Sequence, residues 1–62
     1  MTAGELNFQI TNLVLDYLAT KGTSYGTFCE IEGVLSHVSK EVYRRRVVDY
    51  EDEKIKENGD VF

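Results

Sequence analysis

A chain of 62 residues can bury only a thin hydrophobic core, and this one has no obvious way to cross-link itself. Cys29 has no second cysteine with which to form a disulfide, and His37 has no second histidine with which to hold a structural metal. Domains of this size are marginally stable, and they commonly gain stability from disulfides, metals or partner chains. The sequence therefore predicts a homo-oligomer and not a free monomer.

The first organised segment is an amphipathic helix that the sequence predicts over about residues 3–21. Thr2 and Glu5 have the spacing of a capping box, in which the two side chains satisfy backbone N–H groups at a helix start. Gly22 suits the left-handed position that ends a helix. Apolar residues recur between these ends at steps of three and four, which makes one stripe. The stripe consists of Leu6, Ile10, Leu13, Val14, Tyr17 and Leu18. Phe8 lies off the stripe and is a candidate for a second interface.

A longer second helix is predicted from about residue 25 to about residue 57, after a short turn in which Ser24 is a candidate N-cap. Its first half has the seven-residue pattern of a helix–helix seam. The seam consists of Phe28, Ile31, Leu35, Val38 and Val42. Beyond Val42 the pattern shifts to Tyr43, Val47 and Tyr50, which we interpret as a change of packing neighbour. Asn58 and Gly59 are expected to end the helix and to leave a short tail.

These two helices predict an all-α fold, an antiparallel helical hairpin within a single domain of residues 1–62. At the usual rise, the first helix is about 27 Å long and the second about 48 Å. The first helix therefore cannot cover the second. We expect homo-oligomerisation, another partner, or a bend in the second helix to cover the apolar residues that extend beyond it.

The net charge is −4, and the whole excess lies at the C-terminal end. Residues 1–48 contain five acidic and five basic residues, whereas residues 49–62 contain six acidic and two basic residues. A negative tail opposes contact with a phosphate backbone, so nucleic-acid binding is not expected. No apolar run is long enough to cross a membrane, and the segment MTAGELN has no positive charge. The sequence thus indicates neither a membrane span nor a signal peptide, and a cytoplasmic location is the default expectation.

Three consecutive arginines are the most conspicuous candidate site, because guanidinium groups recognise phosphates and carboxylates through paired donors. Consecutive helical positions point about 100° apart, so one chain cannot direct all three at one ligand. In an oligomer, one arginine from each chain could line a shared pocket, with aromatic rings nearby for stacking. The candidate ligand-binding residues are Arg44, Arg45, Arg46, Tyr43, Tyr50 and Phe8.

The alternative is that the arginines only form ion pairs along the helix. Glu41 lies three residues before Arg44 and four before Arg45, and Asp49 lies four after Arg45. Arg46 has Tyr50, not an acid, four residues further on. Both interpretations of the arginines stay open at the level of sequence, and Arg46 is the freest of the three.

No catalytic, metal-binding or cofactor-binding residues are predicted. The acidic segment 50–60 lacks the alternating ligands and the central glycine of a calcium-binding EF-hand loop. His37 and Cys29 have no neighbours at the spacing of a metal site or a catalytic pair. The residues therefore indicate a protein that is not an enzyme.

Five segments carry a likeness to a known group of proteins: residues 4–8 (GELNF), 24–25 (SY), 31–35 (IEGVL), 41–48 (EVYRRRVV) and 50–62 (YEDEKIKENGDVF). The chain resembles a family of short proteins of tailed bacteriophages and prophages, whose members commonly end in a phrase close to LYRRVVxPYEDxKIxENGDVY. Asp49 stands near the family's usual proline, and the last residue is phenylalanine where the family has tyrosine. The first difference leaves the second helix free to continue. The resemblance implies a phage origin and the cytoplasm of a bacterial host, and it carries over no activity.

Two functions of different classes are compatible with these observations. In the first, the homo-oligomer binds and sequesters a small anionic ligand without chemistry, in the manner of the phage sponges that capture cyclic nucleotide signals of bacterial antiviral immunity. In the second, the chain is a protein-interaction module, either a virion assembly adaptor or an inhibitor of a host protein. The acidic tail with Asp60, Val61 and Phe62 would then form the contact surface.

Overall fold

A computed structural model describes residues 1–61 of the chain; the predicted contact residue Phe62 lies outside the described residues. The helical elements are α1 at Ala3–Lys21, α2 at Tyr25–Val42, a π-helical turn at Tyr43–Val47 and α3 at Val48–Asn58. Residues 1–61 contain no strand. The prediction of an all-α fold in which a shorter helix precedes a longer one is confirmed.

Side chains of the first turn hold the start of α1. The Thr2 Oγ1 atom accepts a hydrogen bond from the backbone N–H of Glu5 at 3.1 Å, as an N-cap does. The same hydroxyl donates to the Glu5 carboxylate at 3.2 Å. One of the two hydrogen bonds of the predicted capping box is therefore present. The other differs, because the Glu5 carboxylate accepts from the threonine hydroxyl and not from a backbone N–H.

A three-residue turn at residues 22–24 separates α1 from α2. Gly22 has a φ of 91°, a conformation that glycine adopts without a steric penalty, and its N–H donates to the Leu18 carbonyl at 2.8 Å. Ser24 then caps α2, because its Oγ accepts from the Thr27 N–H at 3.1 Å. Thr27 is the one buried residue within residues 1–61, and its hydroxyl lies 3.0 Å from that of Ser24.

The turn between α2 and α3 is where the structure departs most from the predicted second helix. The Val48 N–H donates to the Tyr43 carbonyl, five residues back, which is the hydrogen bond of a π-helix. The backbone continues from α2 into α3 without a break, so the helical run passes through Asp49. A π turn contains one more residue than an α turn, so it changes the face on which the following side chains lie. The shift of the apolar pattern beyond Val42 occurs at this turn.

The two arms of the hairpin touch little, and no apolar side chain in residues 1–61 is buried. One hydrogen bond joins the arms, from the Tyr17 hydroxyl to the Glu30 carboxylate at 3.3 Å. The radius of gyration is 16.7 Å. A compact domain of this length would have a radius of gyration of about 11 Å. The single chain is therefore an extended hairpin without a core of its own.

The long arm extends well beyond the short one. The largest dimension of the molecule is 50 Å, which matches a helical run from residue 25 to residue 58 at about 1.5 Å per residue. Within residues 1–61, α3 packs against no element except the π turn that precedes it. Gly59 ends α3 with a φ of 83°, and its N–H donates to the Ile55 carbonyl at 2.8 Å.

Candidate functional site

An apolar groove runs between α1 and α2, with a volume of about 390 Å³. Residues of both helical stripes line it. They are Ile10, Leu13, Val14, Tyr17, Glu30, Ile31, Val34, Leu35 and Val38. Glu30 is the only charged residue among them, and its carboxylate accepts the hydrogen bond from Tyr17. Leu13 remains 72% exposed and Val34 60% exposed, so one chain leaves the apolar groove open to water.

Two of the three arginines are held by a single carboxylate oxygen on α2. Glu41 Oε1 accepts from Arg44 Nη2 and from Arg45 Nε, each at 2.6 Å. The Arg44 guanidinium and then that of Arg45 lower the pKa of Glu41 from its ordinary value of 4.5. All three side chains are more than half exposed, and exposed ion pairs of this kind add little stability. The predicted ion pairing of the arginines with Glu41 is thus present in the structure.

The predicted pair between Arg45 and Asp49 is not among the ion pairs of residues 1–61. Arg45 instead directs its Nε toward Glu41, on the N-terminal side of the π turn. Each guanidinium has five N–H donors, so the contact with Glu41 leaves donors of Arg44 and Arg45 available.

Arg46 differs from its two neighbours, because no ion pair holds it within the described chain. Together with Arg45 it lines a shallow hollow of about 310 Å³ on the outer part of α2 and the π turn. Val38, Glu41 and Val42 form the rest of that hollow. Val38 also lines the apolar groove, so the groove and the arginine hollow adjoin on one face of the molecule.

The two candidate stacking tyrosines near the arginines are both exposed. Tyr43 begins the π turn and is 54% exposed. Tyr50 lies in α3 and is 63% exposed, with the Lys54 Nζ atom 5.6 Å from the centre of its ring. The lysine occupies one face of that ring as a cation–π contact. Tyr43 is therefore the ring more readily available for a base.

Phe8 lies apart from the arginines in the single chain. It is 68% exposed and lines a different hollow, on α1, together with Ala3, Gly4, Asn7 and Thr11. The structure thus brings Arg45 and Arg46 together with apolar residues of α2, and it does not bring Phe8 to the same hollow.

The π turn that contains all three arginines was not predicted from the sequence. Short π-helical turns inside α-helices are rare and are frequently found at functional sites. The available signal was the shift of the apolar pattern after Val42, which an extra residue in one helical turn produces. The coincidence of that turn with the arginines strengthens this segment as a candidate site.

Other candidate chemistry is sparse in the described part of the chain. Cys29 is an exposed free thiol, and no group of three metal-ligating side chains lies close enough to hold an ion among residues 1–61. None of the described helices combines the length and the hydrophobicity needed to cross a bilayer.

The fold and the site define a class of small helical hairpins that expose an apolar groove beside a cluster of arginines. The chain belongs to the family described as a domain of unknown function (DUF6899), whose profile matches residues 1–61. No curated protein and no solved structure shows a match to the chain.

Proposed function

We propose that the protein works as a homo-oligomer that binds and sequesters a small phosphate-bearing ligand without chemical conversion. Oligomer formation is supported by the open groove, because burying apolar surface stabilises by roughly 25 cal/mol per Å² and a single chain leaves this surface in water. A second copy supplies an apolar face of matching composition and completes the core that the hairpin lacks.

The ligand site of this proposal is the arginine hollow, and the observation that carries it is the position of Arg46. Arg46 has no ion pair in the described chain, and its hollow shares Val38 with the groove. A copy that covers the groove therefore reaches the edge of the hollow. The hollow becomes a pocket between subunits, with Arg46 for phosphate. Tyr43 does not itself line the hollow, and it is proposed as the nearby exposed ring for base stacking.

Cyclic nucleotide signals of bacterial antiviral immunity are the ligand class that we propose. These molecules combine phosphates, which suit arginine donors, with bases, which suit an exposed tyrosine ring. The resemblance to phage proteins supports this choice, since a phage benefits from removing such a signal from the cytoplasm of its host. The proposed action is binding alone.

The test is calorimetric titration of the wild-type protein with a panel of cyclic dinucleotides and cyclic trinucleotides. Arg46→Gln removes one charge-assisted hydrogen bond, which contributes about 1.5–3 kcal/mol, so affinity should fall roughly tenfold or more. Lys21→Gln is the matched control, because it removes the same charge from the end of α1. Absence of binding across the panel, or equal affinity of wild type and Arg46→Gln, would overturn the proposal.

Glu41→Gln separates ligand binding from simple ion pairing. The substitution releases Arg44 and Arg45 from the carboxylate that now holds them at 2.6 Å. If the arginines bind an anion, removal of this competing charge should raise its affinity several-fold. If they serve only as ion-pair partners, the substitution should lower helix stability and leave any anion affinity unchanged.

A second candidate function is supported by the acidic overhang. Among its residues α3 has five acidic and two basic side chains, and it packs against no other helix of residues 1–61. Val61 beyond it is 92% exposed. As a protein-interaction module, the chain would use this segment to contact a host or phage protein. Removal of residues 58–62 deletes the end of this surface and keeps the acidic residues of α3, so it should weaken capture of that protein from infected-host lysate, whereas nucleotide binding at the arginines should persist.

A further inference from the structure

The π turn and α3 carry a charge pattern that changes sign along one continuous helical run. The π turn contains three arginines, whereas residues 48–53 contain four acidic side chains and no basic one. Arg46 and Glu51 form no ion pair among residues 1–61, so charges of both signs are left unpaired on this arm. A helix with a positive segment followed by a negative one repels a parallel copy of itself and attracts an antiparallel copy.

One antiparallel register matches the charges of two copies. When the copies meet about a twofold axis between Val48 and Asp49, each arginine lies level with an acidic residue of the second copy. The opposite charges that lie level are Arg44 with Glu53, Arg45 with Asp52, Arg46 with Glu51, Glu41 with Lys56, and Lys40 with Glu57.

This register is specific. Within residues 40–57 it gives five matched pairs and sets no like charges level. A shift of one residue in either direction leaves two matched pairs and sets at least one pair of like charges level. Charges that flank a helix–helix contact determine its partner and its orientation, so the pattern favours a second copy of this chain over an unrelated helix.

The residues that would make the contact lie on one face of the helix, at steps of three and four. They are Tyr43, Arg46, Val47, Tyr50, Glu51 and Lys54. The Lys54 Nζ atom lies 5.6 Å from the centre of the Tyr50 ring, which places these two side chains on the same face. Tyr43 and Tyr50 are 54% and 63% exposed, so a single chain leaves both rings largely in water.

The antiparallel register places this face on itself. Arg46 meets Glu51 of the second copy as an ion pair, and Val47 meets Tyr50 of the second copy as an apolar contact. Tyr43 meets Lys54 of the second copy, a cation beside an aromatic ring. Twofold symmetry repeats each contact on the other side of the axis.

The exposed area of the chain leaves room for such an interface. The chain exposes 5611 Å², whereas a compact protein of 7.1 kDa exposes about 4,100 Å². The excess is about 1,500 Å², and each partner in a standard interface buries about 800 Å². A contact at the groove and a second contact on the long arm can therefore both form.

We infer that the π turn and α3 form an antiparallel twofold interface with the same segment of a second copy. This interface goes beyond the proposed function, because the groove lies within residues 10–38 and the two copies overlap over residues 39–58. A carboxylate takes at most two of the five N–H donors of a guanidinium, so Arg46 keeps donors for the phosphate of the proposed ligand. Lys54 covers one face of the Tyr43 ring and leaves the other face open.

Disulfide trapping tests the register. In a Cys29→Ser background, Tyr43→Cys chains mixed with Lys54→Cys chains should link under mild oxidation, because the two positions lie level. Neither variant should link to itself, since the two copies of each position lie about 16 Å apart along the helix. Asp52→Cys in place of Lys54→Cys is the matched control, because position 52 lies about 200° around the helix from position 54. Self-linking of Tyr43→Cys, no linking in the mixture, or equal linking with positions 52 and 54 would overturn the inference.

Charge reversal tests the pairing. Arg46→Glu and Glu51→Arg each set like charges level, so each variant alone should have half the native mass of wild type or less. In a one-to-one mixture the charges are opposite again, and the wild-type mass should return with both variants in each assembly. That return also shows that both variants fold. Lys21→Glu reverses a charge at the end of α1 and should keep the wild-type mass.

Two outcomes of the mass measurement count against the interface. They are an unchanged mass for either single variant and a mixture that does not regain the wild-type mass. Neither the trapping nor the mass measurement uses a nucleotide, so a failure here is distinguishable from a failure of the calorimetric test.

Discussion

The hairpin of α1 and α2 and the overhang of the π turn and α3 are stabilised in different ways. The hairpin has two capped helix starts, a hydrogen bond between its arms and a continuous apolar groove. The overhang has ion pairs three or four residues apart and a lysine over a tyrosine ring. The hairpin thus has an apolar surface that the chain leaves exposed, whereas within residues 1–61 the overhang is a helix supported by its own local contacts.

This difference indicates where a second copy would contribute most in the proposed homo-oligomer. Local contacts along a helix contribute about 0.2–0.5 kcal/mol per pair, and an isolated helix of this length is marginal in water. The overhang can therefore form and melt without much effect elsewhere. In the proposed homo-oligomer, covering the groove stabilises the hairpin, so we expect the stability of the protein to depend on the groove and ligand binding to depend on the arginines beside it.

The largest effect is expected from a charge in the groove. Val34→Asp places a carboxylate among the apolar residues of α1 and α2, and an uncompensated buried charge costs about 3–5 kcal/mol. Thermal unfolding followed by circular dichroism should lose its cooperative transition. Ser36→Asp adds the same charge on the far side of α2 and should keep the transition. A cooperative transition in Val34→Asp would mean that the groove is not covered.

A helix breaker in the overhang should have a strong but local effect. Asp52→Pro removes the N–H that bonds to the Val48 carbonyl and clashes with it, at a cost of about 3 kcal/mol to α3. Because α3 packs against no other helix of residues 1–61, the helical circular dichroism signal should fall by the fraction of helical residues that lie in α3. The melting temperature of the hairpin should stay the same. Asp52→Ala serves as the control. A drop in that melting temperature would show that α3 takes part in the core of the assembly.

The cap of α2 should contribute an intermediate amount. Ser24→Ala removes the oxygen that accepts from the Thr27 N–H at 3.1 Å, and loss of an N-cap costs about 1 kcal/mol. For a domain of this size, such a loss lowers the melting temperature by roughly 4–8 °C. Thr23→Ala, one residue earlier in the turn, should change it little. Equal effects of the two substitutions would contradict the cap assignment.

The sequence predicted the ends of elements well, because end signals are local. Gly22 and Gly59 end their helices through their own backbone conformation, with positive φ angles. Ser24 begins α2 by accepting a hydrogen bond from the N–H of the residue three positions later. The openness of the hairpin was not predictable, since the seam at Phe28, Ile31 and Leu35 shows which face is apolar and not how closely α1 approaches it.

The π turn also could not be predicted from the sequence, although the apolar pattern changes at the position where it occurs. A shift of the apolar pattern after Val42 can result from a change of neighbour or from an extra residue in a turn, and composition does not distinguish the two. The same limit applies to the arginines. Spacing predicted the pairs of Glu41 with Arg44 and Arg45, and it could not show that Arg46 would line a hollow next to the groove.

The smallest effect is expected at Glu41, near the end of α2 and two residues before the overhang begins. Because Arg44 and Arg45 lower the pKa of Glu41, its ionised form is favoured in the folded helix, and its contribution is present above the ordinary pKa of 4.5. That contribution is lost as the pH falls through the lowered pKa of the folded state. The helical signal of wild type should slightly exceed that of Glu41→Gln at neutral pH, and the two should converge in acid. Glu53→Gln, whose carboxylate lies 3.5 Å from Lys56, provides the control for loss of a single weak pair. A difference between wild type and Glu41→Gln that persists in acid would show that the two arginines are not held by this charge.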